Sequence, residues 1–395
     1  MFAVFRTTRK ALRRLILPVA ALALAACQPV SMGGLGSAGG PKIDTKAAVP
    51  VALLVPRGSG SAGDDVLAQS LENAARLAMR DLNGAEIDLR VYATGGNAAK
   101  AASVATQAVD DGAKIILGPV YAEAANAAGA AVAGRGVNVV SFSNNTSIAG
   151  GNVFVLGPTF QNTANRLVGY SKRQGRDRIV IVHAQDVAGE QGRSAIAQAI
   201  SANGATLAGA VGYVASQQDV VAAVPRVKST VDSTGANAIF LTTSSASALP
   251  LFAQLLPEAG VLPATTQYIG LTRWDIPPQT LSLPGVQGGW FALPDPAATG
   301  AFNARYSAAY GQAPHPIGGL GFDAIAAIGA LVSAGKSNAL TGAALTQGAG
   351  FRGASGVFRL NRDGTNTRGL AVATIRNNQV QVIDAAPQSF GGAGF

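Results

Sequence analysis

Few residues of this chain have the types and spacing that catalysis or metal binding requires. The 395 residues include two histidines and one cysteine. His183 ends an apolar run and Asp186 follows three residues later, an arrangement in which a histidine can act as a general base. The sequence contains no Gly-x-Ser-x-Gly motif for a nucleophilic serine and no cluster with the spacing of metal ligands. We therefore predict a protein without catalytic residues, cofactor or metal, which is not an enzyme.

The single cysteine, Cys27, closes a segment with the properties of a secretory signal. A cluster of cations precedes an apolar run at residues 15–26, which is too short to span a bilayer. Leu24-Ala25-Ala26-Cys27 resembles the lipobox of bacterial lipoproteins. The resemblance implies a signal peptide at residues 1–26 and a lipid anchor on Cys27, with acyl chains such as palmitate. Because Gln28 follows where Asp would favour the inner membrane, the resemblance favours the periplasmic side of the outer membrane, with inner-membrane anchoring as the alternative.

Composition limits the partners that the mature chain can have. Hydrophobic residues make up 48% of the chain and charged residues 13%, which is ample apolar material for a core. The formal net charge is +9, but five of the cations lie in the signal, which leaves +4 for the mature chain. The body has no dense stripe of Lys and Arg, so nucleic acid is not an expected partner. Residues 27–47 are rich in Gly, Ser and Pro and are predicted to form a flexible lipidated tether.

Apolar strands and amphipathic helices alternate along most of the body, with a period near thirty residues. Residues 51–55 form a continuous apolar run, as expected of a strand that is covered on both faces. The alternation predicts βαβ units and mainly parallel sheets flanked by helices. It restarts after a short junction near Gly157-Pro158, which indicates two α/β lobes at residues 48–157 and 158–285. The last part, residues 286–395, has too little core to stand alone and is predicted to cross back and complete both lobes.

This arrangement is similar to the type I periplasmic binding proteins, and most of all to the leucine/isoleucine/valine-binding type. The resemblance implies an α/β fold of two lobes with a hinged cleft, in which a ligand binds at the carboxyl ends of the parallel strands. The stretches that carry the resemblance are residues 51–55, 115–119, 139–143, 179–183, 189–190, 321–324 and 351–364. The last of them, residues 351–364, also resembles outer-membrane activators of penicillin-binding proteins.

Polar residues that follow the predicted strands are the candidate ligand-binding residues. Amino-acid binders of this type place an aromatic residue at the position of Ala188 and an acidic residue near Leu271-Thr272, and this chain has neither. A buried ammonium group without a carboxylate is costly, so the expected ligand is a small polar solute other than leucine, or none. The predicted residues are Tyr121, Ser143, Asn144 and Asn145 in the first lobe, and Gln185, Asp186, Ser244 and Thr272 in the second.

Two functional hypotheses follow. The first is a lipoprotein that uses this fold to stimulate a peptidoglycan synthase, as the resemblance of residues 351–364 to penicillin-binding protein activators implies. The second is the substrate-binding component of an ABC importer for amino acids or another small polar solute, with an ABC permease as partner. The altered cleft residues and the expected outer-membrane address favour the first hypothesis, and the overall similarity to amino-acid binders favours the second.

Overall fold

The computed structural model describes residues 40–391. Cys27 and the predicted signal lie outside the described residues. Among the helices that are described, none has both the length and the apolar character needed to cross a membrane. The described chain forms two large sheets flanked by helices and one small antiparallel sheet, so the predicted α/β fold class is confirmed.

The first large sheet has five parallel strands in the order β2-β1-β3-β4-β5. Residues 51–55, in β1, are completely buried, because helices pack on both faces of the sheet. Strand β5 was not predicted, since three residues between turns show no periodicity. The elements are β1 Val49–Val55, α1 Ala62–Met79, β2 Ile87–Ala93, α2 Ala98–Asp110, β3 Ile115–Leu117, α3 Ala122–Val132, β4 Asn138–Ser141 and β5 Val153–Val155.

The second large sheet has seven strands in the order β15-β14-β10-β9-β8-β6-β7. Strands β6 to β10 pair in parallel, and β14 and β15 add an antiparallel hairpin. The elements are α4 Phe160–Arg173, β6 Arg178–Ala184, α5 Val187–Ala202, β7 Thr206–Tyr213, α6 Gln217–Thr234, β8 Ala238–Leu241, α7 Leu249–Glu258, β9 Gln267–Gly270, β10 Trp290–Pro294, β14 Leu370–Arg376 and β15 Gln379–Asp384.

We expected the late strands to complete the sheets of both lobes, but they extend only the second sheet, through β14 and β15. Strands β11 to β13 instead pair with one another in a separate three-stranded sheet. This small sheet packs on the first lobe without joining its five-stranded sheet. It does so through three side chains that are buried in the core of that lobe, Phe351, Phe358 and Leu360. The remaining elements are α8 Pro296–Tyr310, α9 Gly319–Ser333, α10 Gly342–Leu345, β11 Phe351–Gly353, β12 Gly356–Leu360 and β13 Asn366–Arg368.

The chain passes between the lobes three times, at residues 156–159, 294–296 and 366–369, which together we call the hinge. Two side chains tie the first crossing to the third. The Asn366 amide donates to the carbonyls of Val155 and Gly157 at 2.9 and 2.8 Å, and Arg368 donates to the carbonyl of Leu156 at 2.6 Å. These bonds join strands that are more than 200 residues apart in sequence.

The predicted flexible tether does not reach residue 47. Ile43 is 5% exposed and packs in the core of the first lobe, and its N–H donates to the Ser337 carbonyl at 2.9 Å. Gly40 lies so close to the backbone of Leu340 that a Cβ atom would be 2.1 Å from its carbonyl oxygen. The prediction was wrong for residues 40–47, because the Gly-rich composition concealed one apolar anchor that the folded lobe buries.

Candidate functional site

The first group of predicted binding residues lies where β3 and β4 end, on neighbouring strands of the first sheet. Tyr121 follows β3 and is 41% exposed. Its hydroxyl donates to the Asp64 carboxylate in the first turn of α1. This hydrogen bond, together with partial burial, raises the pKa of Tyr121 above its ordinary value. Asp64 was not among the predicted residues, although an acidic residue at a helix start after a Gly-rich loop is a signal for such a position.

A chain of hydroxyl and amide groups follows β4. The Ser141 hydroxyl donates to the Pro119 carbonyl at 3.1 Å and accepts from the Ser143 N–H at 3.1 Å. The Ser143 hydroxyl accepts from the Asn145 N–H, also at 3.1 Å. Ser143 is 5% exposed, whereas Asn144 is exposed and its side chain makes no hydrogen bond within the described residues. The loop is therefore held by its serines and presents the Asn144 amide to solvent.

The second group lies where β6, β8 and β9 end, and these strands are neighbours in the second sheet. Asp186 caps the N-terminus of α5, since its carboxylate accepts from the Gly189 N–H at 2.7 Å. Gln185 is exposed and lies over Gly212, where a Cβ atom would be 2.9 Å from the Gln185 Nε2. Gly212 is therefore required for this position of the Gln185 amide.

Ser244 and Thr272 complete the second group. The Thr272 hydroxyl donates to the Thr243 carbonyl at 3.2 Å, which joins the loops after β9 and β8. The Ser244 and Ser247 hydroxyls are 3.1 Å apart. The structure thus assembles the predicted residues into two polar groups, one at the strand ends of each sheet. Within residues 40–391, no hydrogen bond of the eight predicted residues crosses from one lobe to the other.

The carboxylates near these strand ends already have partners. Asp64 accepts from Tyr121, Asp186 caps α5, and Asp275 pairs with Arg273. Asp275 is therefore neutralised by a cation, whereas Asp64 and Asp186 accept from neutral donors and keep their charge. Apart from these two engaged carboxylates, the groups offer hydroxyls, amides and backbone N–H donors, and no carboxylate follows β9 at Leu271-Thr272.

The other residues weighed for chemistry have structural roles. Nδ1 of the buried His183 lies 3.2 Å from Glu190, so this histidine pairs with Glu190 and not with Asp186. His315 lies in a loop, where its ring accepts from the Ile317 N–H and burial lowers its pKa. Trp274, two residues after the predicted binding residue Thr272, is completely buried in the core of the second lobe. In the part of the chain that is described, no group of His, Cys, Asp and Glu could hold a metal ion.

A cavity that the sequence analysis missed lies beside the hinge. Its volume is about 710 Å³, and none of the eight predicted residues lines it. Its lining comes from α4 and α5 of the second lobe, from the β12–β13 turn of the first lobe and from the hinge between them. No local pattern could have revealed it, because these segments are adjacent only in the folded chain.

Two lobes joined by three crossings, with polar loops at the strand ends of each, define a bilobal binding protein. A family model described as periplasmic binding protein matches residues 48–379. This match covers most of the chain, and the chain therefore belongs to the periplasmic binding protein family. Membership implies a periplasmic location, and it places the chain among binding proteins rather than enzymes.

Solved structures of low sequence identity share this fold. A putative branched-chain amino acid ABC transporter protein from Rhodospirillum rubrum is 18% identical, with a TM-score of 0.68 and coverage of 85% of this chain and 100% of that chain. A branched-chain amino acid ABC transporter periplasmic ligand-binding protein from Burkholderia xenovorans is 20% identical, with a TM-score of 0.66 and coverage of 87% and 97%. A solute-binding protein from Rhodopseudomonas palustris, in complex with 3,4-dihydroxybenzoic acid, is 15% identical, with a TM-score of 0.53 and coverage of 86% and 98%. A search of curated protein sequences finds no significant match.

Proposed function

We propose that this protein is the solute-binding component of an ABC importer, and that it binds a small solute between its lobes through the polar groups at the strand ends. One observation supports the proposal above all. The chain forms two lobes joined by three crossings, and in each lobe residues with hydroxyl and amide side chains lie at the carboxyl ends of neighbouring parallel strands. Ligands of open α/β sheets bind at such ends. Lobe closure around the solute would present a closed form to a permease.

The ligand that we propose has no ammonium group. No carboxylate follows β9 at Leu271-Thr272, and Asp275 is neutralised by Arg273. Asp64 and Asp186 are already engaged, by the Tyr121 hydroxyl and by the start of α5. A carboxylate or hydroxyl group of a ligand, in contrast, would meet donors such as the Asn144 amide. The solved neighbour in complex with 3,4-dihydroxybenzoic acid shows that this fold accepts an acid without an ammonium group.

Thermal unfolding of the purified mature protein tests the proposal with paired ligands that differ in one group. Leucine and 4-methylpentanoate share a carboxylate and a branched chain, but only leucine has the ammonium. We expect no stabilisation by leucine, and stabilisation by one or more hydroxylated or aromatic carboxylic acids in a panel. Asn144→Ala should reduce the shift, whereas Asn83→Ala, at an exposed asparagine after α1, should not. A rise of several degrees with leucine would contradict the ammonium argument, and no shift with any solute would contradict solute binding.

The activator hypothesis loses its main support in the structure. Residues 351–364 carry the resemblance to penicillin-binding protein activators, but Phe351 and Phe358 within them are 5% and 0% exposed in the core of the first lobe. The apolar pattern of this stretch is needed for folding and does not indicate a partner. Among proteins recovered from membranes with the lipidated protein, we expect an ABC permease. Recovery of a peptidoglycan synthase instead would restore the activator hypothesis.

We also propose that Cys27 carries the lipid anchor and that the anchor lies on the periplasmic side of the outer membrane. The support is the lipobox-like segment before the cysteine and Gln28 after it. Metabolic labelling with an alkyne analogue of palmitate should label the wild-type protein and not Cys27→Ser. Membrane fractionation should then recover the labelled protein with the outer membrane. Equal labelling of the variant would refute lipidation, and recovery with the inner membrane would refute only the address.

A further inference from the structure

The cavity beside the hinge, which we call the hinge cavity, has the size of a small-molecule site. Its volume of about 710 Å³ lies within the usual range for such sites. Helices α4 and α5 form one side, and Arg359, Asn361 and Asp363 from the β12–β13 segment form the other. The cavity is separate from the eight strand-end residues that the proposed solute site uses.

The charges around the hinge cavity favour an anion. Arg166 and Arg173 line it and share one carboxylate, that of Asp384, at 3.0 and 2.7 Å. Arg359 lines it too, with its guanidinium 4.8 Å from the centre of the Phe390 ring and no ion-pair partner within residues 40–391. Arg368, the fourth arginine of the lining, pairs with Asp323, and Asp363 is the one carboxylate in the lining. Four guanidinium groups therefore face three carboxylates, which leaves one positive charge. A guanidinium binds a carboxylate through two parallel N–H donors, so Arg359 is the natural anchor.

The neutral groups of the hinge cavity favour hydroxyls on the ligand. Gln161, Asn165, Asn203 and Asn361 contribute amides, and Thr367 contributes a hydroxyl. Amides both donate and accept hydrogen bonds, as sugar hydroxyls also do. No aromatic ring is among the lining residues, so a flat apolar ligand would find nothing on which to stack.

The floor of the hinge cavity is already ordered by hydrogen bonds. Asn162 and Asn366 are 7% and 5% exposed. The Asn162 amide donates to the Asn366 carbonyl at 2.8 Å, and Thr159 and Asn162 form a capping box at the start of α4. A ligand would therefore meet a preformed surface and lose little free energy in ordering it.

We propose that the hinge cavity is a second binding site, for a small carboxylate that carries several hydroxyls, the class of the sugar acids. Arg359 binds the carboxylate, and the amides of α4 and of the β12–β13 segment bind the hydroxyls. The site is independent of the strand-end solute site, so it stands or falls separately from the proposed function.

Isothermal titration of the purified mature protein at low salt tests this site with three probes. D-glucuronate has both the carboxylate and the hydroxyls, D-glucose has only hydroxyls, and propionate has only the carboxylate. We expect D-glucuronate to bind at least tenfold more tightly than either of the others. Absence of D-glucuronate binding would overturn the proposal, and equal binding of D-glucuronate and propionate would overturn the role of the hydroxyls.

Variants assign the binding to the hinge cavity. Arg359→Gln should weaken D-glucuronate binding at least tenfold, and Asn165→Leu, at an exposed position of α4, should weaken it severalfold without changing charge. Arg362→Gln is the matched control, because Arg362 is an exposed arginine of the turn that follows β12 and does not line the cavity. Circular dichroism establishes that each variant is folded. If D-glucuronate bound both cavity variants as tightly as the wild type, the site would lie elsewhere and the proposal would fail.

Discussion

Arg368 and Asp323 form a buried ion pair beside the hinge, and its disruption offers a quantitative test of the packing. The Nη1 of Arg368 lies 3.0 Å from the Asp323 Oδ2, and the two side chains are 5% and 0% exposed. Asp323 also accepts from the Ala354 N–H at 2.7 Å. Replacement of Arg368 by Met would keep much of the side-chain volume but leave a buried carboxylate without its cation. Removing one partner of such a pair costs about 3–5 kcal/mol, and we expect a loss of this size in the free energy of unfolding at pH 7.5.

The same variant should respond to pH in a defined direction. Burial raises the pKa of Asp323, and Arg368 opposes that rise. Without Arg368, the pKa of Asp323 in the folded state should lie still further above its unfolded value. A raised carboxyl pKa gives stability that is complete below the unfolded pKa, near ~4, and that is lost as the pH rises through the folded pKa. The stability deficit of Arg368→Met should therefore be smaller at pH 4.5 than at pH 7.5.

Urea unfolding followed by circular dichroism at the two pH values measures both effects. Arg362→Met is the control, because it removes an exposed arginine of the turn before β13 and should change the free energy of unfolding by less than about 0.5 kcal/mol. A deficit of Arg368→Met below about 1 kcal/mol at pH 7.5 would show that Asp323 is not buried in the folded protein as a carboxylate that depends on Arg368 for its charge compensation. A deficit of equal size at both pH values would refute the assignment of the effect to ionised Asp323.

Two further substitutions test the packing of the second lobe. Gly270→Ala would place a Cβ atom 2.3 Å from the buried Trp274 indole, so it should cost about 1–3 kcal/mol in urea unfolding. Gly134→Ala, whose Cβ would meet nothing within 4 Å, is the control, and equal effects of the two would contradict the predicted clash. At the turn between β14 and β15, Asn377 and Asn378 have φ of 52° and 58°. Because a β-branched residue is unfavourable in this left-handed region, Asn378→Val should lower stability by about 1–2 kcal/mol, whereas Asn378→Gly should not. Differential scanning calorimetry measures both, and similar melting temperatures for the two variants would exclude backbone strain at this turn.

Much of the fold could be predicted because the longer elements carry their own pattern. The run at residues 51–55 is buried on both faces as expected. The strands β5, β11 and β13 escaped prediction, since each has three residues and exists only because a partner strand supplies its hydrogen bonds. Ile43 shows the same limit, because one apolar residue in a Gly-rich segment has no periodicity to reveal that it is buried.

The candidate site was predictable to a similar degree. Tyr121, Asn144 and Thr272 follow strands in sequence, and the parallel topology places such residues at strand ends. Their partners were not predictable, since the bond from Tyr121 to Asp64 spans 57 residues and that from Thr272 to Thr243 spans 29. A choice between competing hydrogen-bond partners depends on distances that only the folded chain defines.

The alternation of strands and helices, the two-lobed α/β class, the family and the polar character of the strand ends follow from the amino-acid sequence, because these depend on residue types and local spacing. The folded chain alone reveals which partners the carboxylates near the site have, that Phe351, Phe358 and Leu360 are core, and that a cavity with an excess of guanidinium groups lies beside the hinge. The physical reason is that charge compensation and cavity shape arise from groups that are distant in sequence, such as Arg166 and Asp384, which meet only when the chain folds.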